Sequence, residues 1–103
     1  MSAPLLQRAA ELEAQAVASR DPRAEAHVLA ELARVRLSLG DAEQALLALA
    51  RALHLAPDDA SLLEGLESMS DRALVADVLA DLATDAPVSA RPLVEAALAR
   101  VKP

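Results

Sequence analysis

Apolar positions recur along this chain at three- and four-residue steps, and almost nowhere at steps of two. Leu5, Ala9, Leu12 and Ala16 form one such row, spaced i, i+4, i+7, i+11. Val28, Leu32, Val35 and Leu39 form a second, with Leu29 beside it. This is the period of a helix with one buried face, and it leaves no credible strand. Punctuation between the rows sets six segments, at about residues 3–19, 22–39, 41–55, 59–69, 71–84 and 90–101.

The stop and start signals are specific. Ser2 is placed to cap the first segment, with Pro4 in its first turn. Asp21-Pro22 pairs a capping side chain with proline at the first helical position. Gly40 ends the second segment, because glycine accepts the left-handed backbone that follows a helix. Asp41 opens the third, which stops before Pro57. Asp58 or Asp59 caps a short fourth segment with Leu62, Leu63, Leu66 and Met69 inward. Ser70-Asp71 opens a fifth carrying Leu74, Val75, Val78, Leu79 and Leu82, and Thr84-Asp85-Ala86-Pro87 closes it. The sixth carries Leu93, Val94, Ala97, Leu98 and Val101, and a row of Leu93, Ala97 and Leu98 is expected to cover the fifth. Such short connections imply that successive helices turn back on one another as αα-hairpins.

The stretch GDAEQALLALARALHLAPDD, residues 40–59, adds a pattern of size to that of polarity. Leu29, Leu32 and Ala33 precede the Gly40-Asp41 turn, and Ala45, Leu49, Ala52 and Pro57 follow it. In this spacing residues 25–59 resemble a tetratricopeptide repeat, a helix–turn–helix unit of about 34 residues. The resemblance implies that Ala45 and Ala52 are close-contact points between paired helices. Leu29 and Leu49 stand where the family often has aromatics, and Arg36 where tyrosine is common. Ala10, Ala14, Val17 and Pro22 echo the second-helix spacing, as do Val75, Leu79, Leu82 and Pro87. The implied fold is an all-α, short right-handed solenoid of antiparallel hairpins in one domain over residues 1–103. Helix one would be half a repeat, two hairpins would follow, and helix six would cap the stack.

Composition then removes whole classes of function. The chain has 103 residues and no cysteine, so disulfides, thiolate metal sites and cysteine nucleophiles are excluded. Phe, Tyr, Trp, Ile and Asn are absent too, and Lys102 is the only lysine, the mark of a GC-rich bacterial genome. No apolar run approaches the ~20 residues of a membrane span, and the N-terminus lacks the plan of a signal peptide. A cytoplasmic protein with no membrane partner is expected. The formal charge is −6, and residues 58–85 carry eight acids against Arg72 alone. Nucleic acid is a poor partner for such a chain, because phosphate neutralisation supplies most of that affinity. A basic protein partner would suit these acids; solvated helix faces and N-caps explain them as well.

Candidate chemistry is thin. His27 and His54 fall on different helices, and His27 with Glu31 lacks a third ligand. There is no Gly-x-Ser-x-Gly turn and no glycine-rich phosphate loop. No carboxylates pair in an apolar context suited to acid–base work. No enzyme, metal or cofactor is expected.

The resemblance points instead to protein binding. First helices of tetratricopeptide hairpins line a groove that takes peptides or partner proteins. The residues implied for it are His27, Ala30, Glu31, Arg34 and Ser38, facing Ser61, Glu64, Gly65 and Ser68. The polar row also reads as a plain solvated face, and Gly65 as a tolerated defect in a short helix. Arg34 is suited to pair a carboxylate bidentately, while Glu31, three residues away, is a candidate to occupy it. The family's lysine- and asparagine-based carboxylate clamp has no counterpart in this composition. The alternative to an adaptor or scaffold is a self-associating structural subunit, a homodimer closed through an exposed apolar face.

Overall fold

A computed structural model describes residues 3–101, among which there are six helices and no strand. They are α1 (Ala3–Ala18), α2 (Pro22–Ser38), α3 (Ala42–Leu55), α4 (Ala60–Glu67), α5 (Arg72–Asp85) and α6 (Arg91–Val101). The capping expected of Ser2 lies outside the described residues.

Four aspartates start four of these helices. Asp21 accepts from the Arg23 N–H, Asp41 from Gln44, Asp59 from Ser61 and Leu62, and Asp71 from Leu74, at 3.0–3.3 Å. Each satisfies amide donors that a first helical turn leaves free. The α2–α3 turn is tighter still. Gly40 has φ +80°, the one positive φ among the described residues. Its N–H donates to the Leu37 carbonyl at 3.0 Å, and the Asp41 N–H to Arg36 at 2.9 Å. This double bond pattern is a Schellman motif. Asp41 thus closes α2 with its backbone and opens α3 with its side chain.

α2 and α3 run antiparallel. Arg36 near the end of α2 donates to Gln44 near the start of α3, at 2.8 Å. At the other end Arg23 reaches Asp58, at 3.4 Å. Between these ties Leu29, Leu32, Ala33, Ala45, Ala52 and Leu53 are all fully buried. Alanines opposite leucines let the helices approach closely and still fill the seam. Arg36 makes polar ties, to Gln44 and, at 3.8 Å, to Glu13 of α1.

Three expectations fail. α1 lies on α2 through Leu12 and Ala16, with Ala9 partly buried, so Ala10, Ala14 and Val17 are exposed. Their spacing echoes a second repeat helix, but among the described residues they lie on the exposed side of α1. α6 does cover α5, facing the core through Val94, Ala97 and Val101 with Leu98 partly buried, but Leu93 of the expected row is 44% exposed. The buried row keeps an i, i+3, i+7 spacing, whereas Leu93 lies about a fifth of a turn from its centre. Finally, α5 pairs chiefly with α6 rather than with α4. α4 has eight residues, too few for a long seam, and it rests on α3 and α6 as well as on α5.

Candidate binding groove

α2 and α4 both rest on α3, and the space between them is a groove of about 660 Å³. One wall is α2, with Arg23, Ala26, His27, Ala30, Ala33, Arg34 and Leu37. Leu49 and Ala56 of the α3 segment form the floor. The facing wall is Asp59, Ser61, Leu62, Gly65 and Ser68.

Of the nine residues expected here, the structure brings six together: His27, Ala30, Arg34, Ser61, Gly65 and Ser68. Glu31, Ser38 and Glu64 do not line the groove. Glu31 turns the other way and accepts a hydrogen bond from Arg8 of α1. The Ser38 hydroxyl donates to the Arg34 carbonyl at 3.2 Å. Glu64 borders a separate shallow depression with Glu67, Ser68 and Arg100.

The shortfall has one cause. The polar row of α2 was centred on its most hydrophilic side, between the groove and α1. The groove itself centres on Ala30, about a fifth of a turn round at the helical repeat of ~3.6 residues per turn. A better signal was present. Arg23, Ala26, Ala30, Ala33 and Leu37 step i, i+3, i+7, i+10, i+14 along one face. Small residues there keep the wall recessed, with Arg23 and Leu37 at its ends.

Electrostatically the groove differs from the chain around it. Asp59 is engaged as the α4 cap, and Arg23 pairs with Asp58. Arg34 is exposed and has no carboxylate in ion-pair range among the described residues. The Glu31 that was a candidate to occupy it is held by Arg8. The groove therefore offers a free guanidinium at the edge of an alkyl-lined floor.

Gly65 faces Leu49: a Cβ on it would sit 3.8 Å from both Leu49 methyl carbons, an ordinary contact. Close helix packing does not require this glycine. Its lack of a side chain widens the groove over Leu49.

Other chemistry is sparse. His54 lies outside the groove, with its Nδ1 2.8 Å from the Ala50 carbonyl. No three His, Cys, Asp or Glu side chains converge to hold a metal among the described residues. No helix among them is long and apolar enough to cross a membrane. Compared with protein-family models, curated proteins and solved structures, the chain matches none of them.

Proposed function

We propose that this protein is a non-catalytic interaction module, a tetratricopeptide-like adaptor whose α2/α4 groove holds a peptide segment of a partner. One observation carries the reading: Arg34 stands free beside a recessed apolar wall because Glu31 is engaged by Arg8. Arginine is a favoured anchor type in protein interfaces, and here its guanidinium stands beside an apolar floor. The groove volume of about 660 Å³ suits several side chains of a bound segment.

The test uses random peptides selected on the immobilised chain. Selected peptides should lose binding to Arg34→Ala and keep it to Arg51→Ala, on the other helix of the hairpin. Peptides that bind Arg34→Ala like wild type while losing Arg51→Ala would move the working surface to the outer face.

A second reading rests on α1, where Leu6 and Val17 are 60% and 82% exposed on the side away from α2. Such a face suits a self-associating subunit. Light scattering over a concentration series separates the two, and a monomer throughout favours the adaptor.

A further inference from the structure

The charge and shape of the groove together specify what it takes. Its wall positions are mostly small: Ala26, Ala30, Ala33 and Gly65 surround Leu49 and leave room above it. Alkyl side chains fit there, against the alanines and Leu49. Around this floor stand Arg23, His27 and Arg34, with Asp59 the only acid. Asp59 already accepts from two amides. Arg23 is tied to Asp58, so a chain of net charge −6 presents its ligand in this groove with a guanidinium, that of Arg34, unpaired among the described residues.

We infer that the ligand is an anionic, aliphatic peptide segment, with a side-chain carboxylate on Arg34 and an alkyl side chain on Leu49 between Ala30 and Gly65. This rests on the adaptor reading above and adds the chemistry of the partner. Charge complementarity favours a carboxylate, which a guanidinium binds through two parallel hydrogen bonds. His27 lies two turns before Arg34 on the same side of α2, about 10.5 Å away at 1.5 Å rise per residue. A second acid three residues along an extended segment would span about that distance. The peptide should therefore carry acids at three-residue spacing with aliphatic residues between them.

The experiment displays random peptides from an internal position, so that the selected segment has no free terminus, and selects on the full chain. The wild-type pool should be enriched in Asp and Glu beside Leu, Val or Ala. Changing the anchoring acid of one peptide to its amide should weaken binding about tenfold or more, the range of a hydrogen bond to a charged group. With Arg34→Glu as bait the preference should invert toward Lys and Arg; with Arg51→Glu it should stay acidic. Ser61→Trp blocks the groove from an exposed position without disturbing the core. A pool with no acid preference that still fails on Ser61→Trp would overturn the anionic assignment and leave the adaptor standing. A pool that needs a free C-terminal carboxylate, obtained only when the peptides are displayed with open ends, would also overturn it. Peptides indifferent to both Arg34→Glu and Ser61→Trp, or no peptides at all, would overturn both readings.

Discussion

The α2–α3 hairpin and the α4–α6 region are built from the same residues under different rules. In the hairpin every device agrees. Two long helices, an aspartate cap at each start, a left-handed glycine and alternating leucine and alanine all specify one pairing. In α4–α6 the devices are fewer. α4 is eight residues long with a glycine inside it, and α5 finds its main partner in α6. A side-chain tie between Glu67 and Arg100 joins α4 to α6. Where local signals are consistent, a hairpin is specified by its own sequence. Where an element is short, its neighbours decide its place. The groove lies between the two regimes, with one wall from the hairpin and the other from α4.

Removing α6 should have the largest effect. Truncation after Ala86 uncovers the row of Val75, Leu79 and Leu82 on α5, all fully buried in the intact chain. Each such side chain is worth ~1.5–3 kcal/mol when buried, so the loss approaches the ~5 kcal/mol margin of a small domain. The truncated chain should aggregate or lose cooperative unfolding. If it stays monomeric with an unchanged denaturant midpoint, α6 is not a cover and the contrast between the regions is wrong.

Overpacking the hairpin comes next. Ala52 is fully buried in the α2–α3 seam. Phenylalanine there should cost about 1–3 kcal/mol, read as a lower midpoint at unchanged slope. Ala45→Phe should behave alike. If both variants unfold at the wild-type midpoint, the close approach of α2 and α3 is not real.

These differences track how much of the molecule could be read beforehand. All six helices were legible because their starts and stops are chemical: aspartates at 21, 41, 59 and 71, Gly40, and prolines at 57 and 87. The buried face of α3 was legible because size as well as polarity is patterned there. On α2 the size pattern of Leu29, Leu32 and Ala33 found the buried face, while the polarity row put Val28, Val35 and Leu39 at its centre, where they are only half-buried. On α6 the expected row was right at Ala97 and Leu98 and wrong at Leu93, since Leu93 outweighs Val94 in hydrophobic bulk and the buried row is set by what α5 presents. The groove was two-thirds legible. Position along α2 was right, but rotation about its axis depends on which side α1 covers, and that is tertiary information. The Arg8–Glu31 pair, which leaves Arg34 free, joins residues 23 apart and has no local signal.

The two glycines test the contrast in opposite directions. Gly40→Ala places a Cβ on a left-handed residue with φ +80° and should destabilise by about 1–2 kcal/mol. Gly65→Ala adds a methyl at ordinary contact distance from Leu49 and should stabilise by about 0.5–1 kcal/mol through helix propensity. Thermal melts of the pair should therefore shift apart. A Gly65→Ala variant less stable than wild type would mean that α4 needs its glycine for packing, against the geometry described.

The smallest effect belongs to the ion pair that joins α4 to α6. Arg100 Nε and Nη2 donate to the two Glu67 carboxylate oxygens at 2.6 and 3.0 Å. These bonds hold the Glu67 carboxyl below the usual carboxylate range. A depressed carboxylate contributes stability that is fully present above its unfolded-state pKa and is lost as pH falls through the folded-state one. Glu67→Gln should therefore be slightly less stable than wild type near neutral pH, and the gap should close in acid. Salt should narrow it too, because the Arg100 side chain is largely exposed. The measurement is the denaturant midpoint of both proteins from neutral pH down through the carboxylate range. Parallel curves would show that the pair adds nothing, leaving α4 held to α6 by apolar contact alone. Convergent curves would show that the groove's shorter wall is fastened by a charge contact, whereas the hairpin wall opposite rests on a long apolar seam with polar ties only at its two ends.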